Sequence, residues 1–291
     1  MASVQKAHPE NVPGPLFVDT TCIDCGTCFH LGPEIFREEH DSSVVGRQPR
    51  DLGEWSEAKR AILSCPTHSI GIREPAAGFT AAPADLPLLI AGEVYYCGYT
   101  SRDSYGATSY LIRRPAGNVL VDSPRFTGPL VRELEALGGV AYMFLSHQDD
   151  VADHRDFARH FGCQRIIHRD DLRSGTADCE LVLSGATPLA LADDLKVIPT
   201  PGHTKGHLCL LYKEEFLFTG DHIFYDPGRG RLTASRGVCW YSWPEQIRST
   251  EILTKETFRW IMPGHGGWGQ FKKGESRDAL ELLLADMKGR P

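Results

Sequence analysis

The sequence predicts an α+β fold in which helices cover strand layers, with a small cysteine-bearing domain in front. Strand-like apolar runs alternate with amphipathic helical stretches over most of the chain. Four of the nine cysteines lie in the first quarter of the sequence. The segment from Arg73 to Pro87 is rich in Ala and Pro and lacks hydrophobic periodicity. We therefore expect domains at 1–74 and 88–291, joined by an irregular linker at 75–87.

The composition argues against nucleic acid or a membrane as a partner. The 291 residues are 41% hydrophobic and 24% charged, and the net charge is -7. The sequence has no Lys/Arg-rich run to bind phosphate or anionic lipid, and no apolar run long enough to span a bilayer. Its polar, proline-broken start lacks a signal-peptide core. We expect a cytoplasmic protein with a small-molecule substrate and a redox partner protein. The sequence leaves open whether the protein forms an oligomer.

The elements after the linker follow from apolar periodicity. The runs EVYYCGY, TSYLIRR and NVLVDS predict strands. A helix is predicted at GPLVRELEALGG, because Leu130, Val131, Leu134 and Leu137 recur at helical spacing before two glycines. The next run, VAYMFLS, predicts a buried strand. Further strands are expected at RIIHR, LKVIPT, HLCLLYK, EFLFTGD and RWIMPG, and helices at PEQIRSTEILTKE and SRDALELLLADMK.

The motif CIDCGTC, followed much later by Cys65-Pro66, indicates an iron–sulfur site. Three thiolates at every third residue can wrap one corner of a cluster as the chain curls around it, and a distant fourth closes the cage. Zinc would more naturally use two separated CxxC pairs. A zinc site or a set of unligated thiols is therefore the less favoured alternative. In a reducing compartment, clustered cysteines hold metal more often than they form disulfides.

This part of the chain resembles a single-cluster bacterial-type ferredoxin from about Leu16 to Ile72, including PEIF and SCPTHSI. The resemblance implies four ligands to one [4Fe-4S] cluster: Cys22, Cys25, Cys28 and Cys65. Two-cluster ferredoxins carry a further cysteine where this sequence has Gly32, so a second cluster is not expected. A three-iron form, in which one ligand is lost, stays open.

In the C-terminal part, four segments each end an apolar run with possible metal ligands. The first, FLSHQDDVADHRDF, has two histidines and several aspartates, and the others contain PGHTKGH, TGDHIF and MPGHGGW. Because each segment follows a predicted strand, we expect the ligands to meet at one edge of a sheet. The candidates are His147, Asp149, Asp150, Asp153, His154, His203, Asp221 and His265.

This set resembles the metallo-β-lactamase superfamily over roughly Pro87 to Lys288, which implies an αββα sandwich. The family order is HxHxDH, a His in a Gly-His-Thr turn, an Asp in a Gly-Asp turn, and a last His. The last three motifs match at His203, Asp221 and His265. The first motif departs from the pattern, since an aspartate stands where the second His belongs and two extra residues precede the Asp-His pair.

The resemblance implies two metals that share Asp221 as a bridge. The residues expected near the first metal are His147, Asp149, His203 and Asp221; those near the second are Asp153, His154, Asp221 and His265. The predicted catalytic carboxylates are Asp153 and Asp221. Asp150 has no family counterpart, so it either orients a histidine or takes the place assigned to Asp149. The alternative is a degenerate site with one metal or none, in which the acids cap the helix ADHRDFARHF.

Three functions stay open at this stage. Two divalent metals, zinc or iron, would activate water for hydrolysis of an ester or thioester, the usual activity of the superfamily. An acid in place of an imidazole favours iron or manganese, and flavodiiron proteins of the same family similarly use such an acid. A di-iron oxidoreductase fed by its own ferredoxin domain is therefore the alternative. The third possibility is a non-catalytic electron-transfer and binding protein.

Other residues near these motifs are less informative. Trp240, Tyr241 and Trp243 follow the Asp221 segment and either line a pocket or pack in the core. His207 and His222 lie beside ligand positions, but the sequence does not fix the direction of their side chains.

Overall fold

The computed structural model describes residues 1–74 and 76–289, and it divides into two compact units. The first unit comprises 1–118 and 123–140, and the second comprises 119–122 and 141–291. The predicted linker at 75–87 falls inside the first unit. The domain boundaries at 74 and 88 therefore remain a prediction from the sequence. Among the described residues, no helix combines the length and apolar character needed to cross a membrane.

The N-terminal part of the first unit is built from two short sheets and two helices. Strand β1 pairs antiparallel with β4, which brings the start and end of this part together. The carboxylate of Asp51 accepts a hydrogen bond from the Glu54 N–H (2.9 Å) and caps the longer helix. The elements are β1 (Leu16–Val18), α1 (Thr27–Leu31), β2 (Phe36–Glu39), β3 (Ser42–Val45), α2 (Leu52–Ser64) and β4 (Ile70–Ile72).

The predicted linker is not wholly irregular, because it contains the short helix α3 (Ala77–Ala81). Its Phe79 ring meets Trp55 edge-on at 6.3 Å between centroids. The Lys59 ammonium donates to the carbonyl oxygens of Phe79 (3.3 Å) and Ala82 (2.7 Å). A five-residue helix held by packing against α2 leaves no periodic signal in the sequence. Pro75, also in the predicted linker, lies outside the described residues.

The first unit continues with an antiparallel meander and a helix. The predicted strands in EVYYCGY and TSYLIRR are confirmed, and the predicted helix ends at its glycines, where the Gly139 N–H donates to Leu134 O (2.8 Å). The amide of Asn118 donates to the carbonyl oxygens of Leu137 (3.1 Å) and Gly139 (2.7 Å). The elements are β5 (Leu88–Ala91), β6 (Val94–Tyr96), β7 (Tyr110–Ile112) and α4 (Gly128–Ala136).

In the second unit, four parallel strands lie in the order β8-β9-β10-β11. The strands β8 and β9 are apolar and mostly buried, as expected of the interior of a parallel sheet, whereas β11 is partly exposed. Helix α5 packs against β10 and ends at Gly162. The elements are β8 (Val119–Val121), β9 (Tyr142–Phe144), α5 (His154–Phe161), β10 (Gln164–His168) and β11 (Leu181–Leu183).

The second unit also contains a larger, mostly antiparallel sheet with two covering helices. Its strand order is β12-β13-β14-β15-β18-β19, with a separate hairpin formed by β16 and β17. Apolar side chains of the sheet, such as Ile198 and Leu217, form one core with Leu253 and Leu280 of the helices. The elements are β12 (Leu189–Ala192), β13 (Leu195–Pro199), β14 (Leu208–Tyr212), β15 (Phe216–Gly220), β16 (Phe224–Asp226), β17 (Arg231–Thr233), α6 (Trp243–Leu253), β18 (Trp260–Pro263), β19 (Gly269–Gln270) and α7 (Glu275–Gly289).

Candidate metal centre and iron–sulfur site

The four predicted cluster ligands line one pocket in the first unit: Cys22, Cys25, Cys28 and Cys65. Cys22 and Cys25 lie in the loop that leads into α1, Cys28 lies in α1 itself, and Cys65 follows the end of α2. Backbone N–H groups point at two of the sulfurs, since Ser69 N donates to Cys65 Sγ (3.2 Å) and Ser43 N donates to Cys22 Sγ (3.4 Å). Such bonds are typical of the surroundings of iron–sulfur clusters.

The spacing and burial of these thiols fit an iron–sulfur cluster better than zinc. Among the described residues, no three cysteine sulfurs lie within 4.8 Å of one another. Tetrahedral zinc with Zn–S bonds of about 2.3 Å needs sulfurs about 3.8 Å apart. Burial raises the pKa of Cys25 and, more strongly, that of Cys28. A bound cationic iron core would offset the cost of burying the thiolates.

The second candidate site lies in the second unit, where loops after four strands converge. His147 follows β9, His203 follows β13, Asp221 follows β15 directly and His265 follows β18. The expectation of a single sheet edge is wrong, because β9 belongs to the parallel sheet and the other three strands to the larger sheet. The loop after β9 reaches the larger sheet through a hydrogen bond from Leu208 N to Ser146 O (2.8 Å).

Asp221 is at the centre of the candidate metal centre. Its Oδ2 lies 4.0 Å from His147 Nε2, 3.8 Å from His203 Nε2 and 3.6 Å from His265 Nε2. Asp149 Oδ2 lies 3.6 Å from His203 Nε2 and 3.9 Å from His147 Nε2. These separations are too long for hydrogen bonds and leave room for an ion between the groups. The four residues expected near the first metal are therefore brought together.

Two histidines are oriented towards this centre by hydrogen bonds on their other ring nitrogen. His147 Nδ1 lies 2.9 Å from Ser146 Oγ, and His203 Nδ1 donates to the Val238 carbonyl oxygen at 2.6 Å. In metal sites the outer nitrogen of a ligating histidine is usually held in this way. Burial lowers the pKa of His147 to about 4, so its imidazole is neutral, which is the form that ligates a metal.

Among the residues that the structure describes, four buried polar atoms of the centre find no hydrogen-bond partner: His147 Nε2, His203 Nε2, Asp150 Oδ2 and Asp221 Oδ1. Leaving a buried polar atom unpaired costs about 1–3 kcal/mol, so four in one place need an explanation. Burial, followed by the nearby Asp221 carboxylate, raises the pKa of Asp150 well above its usual value. Divalent cations would satisfy these atoms and offset the carboxylate repulsion, so the residues fit metal.

The pair predicted for the second metal, Asp153 and His154, does not belong to the group of candidate ligands around Asp221. His154 is buried at the start of α5, where its Nε2 lies 3.1 Å from the Gly175 carbonyl oxygen and its Nδ1 lies 3.3 Å from an Arg165 nitrogen. Asp153 precedes that helix and belongs to neither group of possible metal ligands among the described residues. The physical reason is that the two extra residues in the first motif shift the pair along the chain, so that Asp153 immediately precedes α5 and His154 is its first residue.

Asp150 occupies the position that the sequence left undecided. It is 2% exposed and forms a group with His147 and Asp221 whose possible ligand atoms all lie within 4.8 Å. Gly264 adjoins it, because a Cβ built there would lie 2.7 Å from Asp221 Oδ1 and 3.2 Å from Asp150 Oδ2. Any larger residue would fill the space between the two carboxylates, which explains the glycine before His265.

Asp171 is a supporting residue that the sequence did not reveal. This fully buried carboxylate accepts hydrogen bonds from Thr204 Oγ1 (2.5 Å), Gly206 N (2.7 Å) and Gln148 N (3.2 Å). It thereby joins the loop that carries His147 to the loop that carries His203. An aspartate inside DDLR has no motif signal, so only the fold could identify it.

His207 and His222 support the centre and belong to neither group of possible ligands among the described residues. His207 Nε2 accepts the Asp221 N–H (3.2 Å), so its Nδ1 carries the proton and donates to Thr200 Oγ1 (2.9 Å). His222 Nε2 lies 3.1 Å from Thr250 Oγ1. Burial lowers the pKa of His207 well below its usual value and that of His222 to about 3.

The sequence comparisons found similarity to two kinds of protein. Residues 18–72 match the family described as "4Fe-4S single cluster domain of Ferredoxin I". Over 137 residues, or 45% of the chain, the sequence is 32% identical to a hydroxyacylglutathione hydrolase of Bradyrhizobium sp. (strain ORS 278), of which it covers 51%. The chain thus spans about half the length of the curated relatives it matches.

Solved structures are similar over most of the chain. The metallo-β-lactamase FIM-1 from Pseudomonas aeruginosa, in its mono-zinc form, has a TM-score of 0.54 at 17% identity, over 72% of this chain and 99% of that one. The DIM-1 metallo-β-lactamase has a TM-score of 0.54 at 16% identity, over 70% and 96%. At such low identity these similarities establish the fold alone, and they confirm the predicted αββα class.

Proposed function

From a metallo-β-lactamase fold that carries a 4Fe-4S domain, we propose that the chain is a metal-dependent hydrolase of small acyl thioesters or esters. The observation that carries the proposal is the set of four buried, partnerless polar atoms around Asp221. The hydrolase relatives at 31–32% identity support the thioester class, because hydroxyacylglutathione is a thioester of a small thiol.

We assign the ligands from this geometry. In this assignment His147, Asp149 and His203 would hold the first metal, Asp150 and His265 would hold the second, and Asp221 would contribute to both. Asp150 thus replaces the predicted pair Asp153 and His154. Two divalent metals held there would lower the pKa of a shared water to about 7 and polarise the substrate carbonyl. The Asp221 carboxylate lies between the imidazoles of His147, His203 and His265, so it would hold its place beside either metal.

Substrate would enter beside His203 and His207. Trp240 is 65% exposed and its ring lies 6.2 Å from the His203 ring, whereas Trp243 is buried in the core. A cavity of about 380 Å³ is lined by Lys205, Tyr241 and His207, and His207 in turn contacts Asp221 and His147 of the centre. The Lys205 ammonium lies 3.4 Å from Asp170 and can bind a carboxylate of the substrate. An aromatic wall and a cation suit an anionic acyl thioester.

Hydrolysis of S-acyl glutathione thioesters and of p-nitrophenyl esters, with release of the thiol or phenol measured, tests the proposal. The expected result is turnover that a chelator abolishes and that His203→Ala lowers by more than about 100-fold. Lys205→Ala should raise KM for the anionic thioester and leave neutral esters unaffected. The proposal is wrong if fully metal-loaded protein hydrolyses neither class.

A di-iron oxidoreductase is the second candidate, and the composition of the centre supports it. Three carboxylates, Asp149, Asp150 and Asp221, accompany three imidazoles, and hard oxygen ligands shift the preference from zinc towards iron or manganese. Metal analysis distinguishes the hydrolase from the oxidoreductase. The protein is expressed in iron-replete and in zinc-replete medium, and its metal content beyond the cluster iron is measured. Two additional irons together with an electron demand would favour the oxidoreductase, and two zincs with activity unaffected by reduction would favour the hydrolase.

A further inference from the structure

A tight turn outside the matched ferredoxin residues contacts the cluster pocket. This cluster turn, Ser101–Ala107, belongs to the same compact unit as the four cysteines. It is closed by hydrogen bonds from Gly106 N to Ser101 O (2.8 Å) and from Ala107 N to Ser104 O (2.9 Å). Tyr105 and Gly106 both have left-handed backbone conformations, with φ of 49° and 85°. Such a conformation is uncommon for tyrosine and persists only where the surroundings hold it.

The backbone of Gly106 lies directly against one cluster ligand. A Cβ built on Gly106 would lie 2.7 Å from Cys25 Cβ and 2.8 Å from Cys25 Sγ, closer than real side chains approach. The same Cβ would lie 3.4 Å from Pro66, the residue after Cys65. The turn therefore touches both of the chain segments that supply cluster ligands, and only glycine leaves room for the Cys25 sulfur.

Two hydrogen bonds hold the cluster turn on the cysteine loop. The Tyr105 hydroxyl donates to the Ile23 carbonyl oxygen at 2.6 Å, although 56% of this residue is exposed. The Thr27 hydroxyl donates to the Gly106 carbonyl oxygen at 3.3 Å. Thr27 Oγ1 also lies 3.3 Å from Cys25 Sγ, and a hydroxyl has one proton to give. The turn thus competes with Cys25 for that proton.

We propose that the cluster turn is a functional part of the iron–sulfur site. The turn covers Cys25 and keeps the reduction potential of the cluster low. One-electron reduction adds a negative charge to the cluster. Water and hydrogen bonds to the sulfurs stabilise that charge and so raise the potential. By covering part of the Cys25 side chain against water and by drawing away the Thr27 proton, the turn disfavours the reduced form. The same cover keeps oxygen from this side of the cluster.

The test compares Gly106→Ala with a matched control, Gly274→Ala, in the full-length protein purified without oxygen. Gly274 has a similar φ of 91°, but nothing lies within 4 Å of a Cβ built there. Both variants thus bear the strain of a left-handed alanine, and only one displaces the cluster turn. The measurements are iron content, the electron paramagnetic resonance spectrum, the reduction potential, and the decay of cluster absorbance in air.

For Gly106→Ala we expect a higher reduction potential, an altered resonance spectrum and a several-fold shorter cluster lifetime in air, with Gly274→Ala like wild type. Tyr105→Phe removes one hydrogen bond without altering the pocket, and a faster decay is expected there as well. If Gly106→Ala does not fold, the reduction potential and the cluster lifetime of Tyr105→Phe test the proposal instead. The proposal is overturned if the variants that fold keep the wild-type potential and lifetime, or if Gly274→Ala changes them equally.

Discussion

His207 Nε2 accepts the backbone N–H of Asp221 at 3.2 Å, so a buried neutral imidazole holds the central carboxylate of the candidate metal centre in place. The His207 ring also stacks on that of His147, with centroids 5.3 Å apart and planes at 27°. Because Nε2 of His207 is occupied by this N–H, its lone pair is not available to a metal. The residue therefore positions two candidate ligands without contacting the metal itself.

Replacing His207 tests this relationship. His207→Leu leaves the Asp221 N–H buried without an acceptor, which costs about 1–3 kcal/mol of the free energy of unfolding. Movement of Asp221 should also weaken metal binding about 10–100-fold. Urea unfolding and metal titration measure the two effects. His160→Leu is the control, because His160 lies exposed on α5; equal losses in both variants would contradict the assigned role.

A set of alanine variants distinguishes the ligands of the second metal. For Asp150→Ala we expect one metal per chain beside the cluster iron, in place of two, because Asp150 joins Asp221 in the buried group. His154→Ala should keep both metals and lose stability, since its ring bonds to the Gly175 carbonyl oxygen. Asp153→Ala should keep both metals as well. Elemental analysis decides, and loss of metal from Asp153→Ala or His154→Ala would restore the sequence-based assignment.

Asp171 offers a test of how the loops of the centre are joined. Asp171→Ala leaves three donors unpaired, two of them backbone N–H groups, and should cost about 2–5 kcal/mol of the free energy of unfolding. The neighbouring Asp170→Ala removes only a partly exposed ion pair and should cost less than about 1 kcal/mol. Thermal unfolding with and without added metal compares them. Similar losses in the two variants would count against the proposed role of Asp171.

Glu54 supplies a prediction about pH. Hydrogen bonds from the Arg47 guanidinium, with further ones from Arg50, lower the pKa of Glu54 from 4.5 to about 2. A carboxyl with a lowered pKa stabilises the fold above the unfolded value, and this stability is lost as the pH falls towards the folded value. Glu54→Gln should therefore be less stable than wild type at neutral pH, and the difference should shrink below about pH 4.5.

Melting temperatures of wild type and Glu54→Gln, measured from neutral pH down to about pH 3, check the predicted convergence. Glu281→Gln is the control, because Glu281 pairs with Arg277 on an exposed face of α7. A difference between wild type and Glu54→Gln that stays constant with pH would show that the carboxylate charge is not what stabilises this helix.

Much of the fold was predictable because its signals are local. Apolar runs gave the positions of β6 to β10 and of β13, β14, β15 and β18, and helical spacing gave α4, α6 and α7. The short elements β5, β11, β12, β16, β17, β19 and α3 were missed. The missed strands lie at sheet edges or in the small hairpin of β16 and β17 and are mostly partly exposed, so they become strands through the neighbour they pair with. The five-residue helix α3 is too short to show helical periodicity.

The sequence alone determined the cysteine set and the order of the last three metal motifs, because both depend on spacing along the chain. Whether Asp149, Asp150 or the Asp153-His154 pair faces the centre depends on where the loop after β9 ends and α5 begins. That point is determined by packing, by the hydrogen bonds of Asp171 and by the bond from Leu208 to Ser146. Contacts between residues distant in sequence leave no trace in a local pattern, so the tertiary structure alone brought Asp150 into the metal centre and Gly106 onto Cys25.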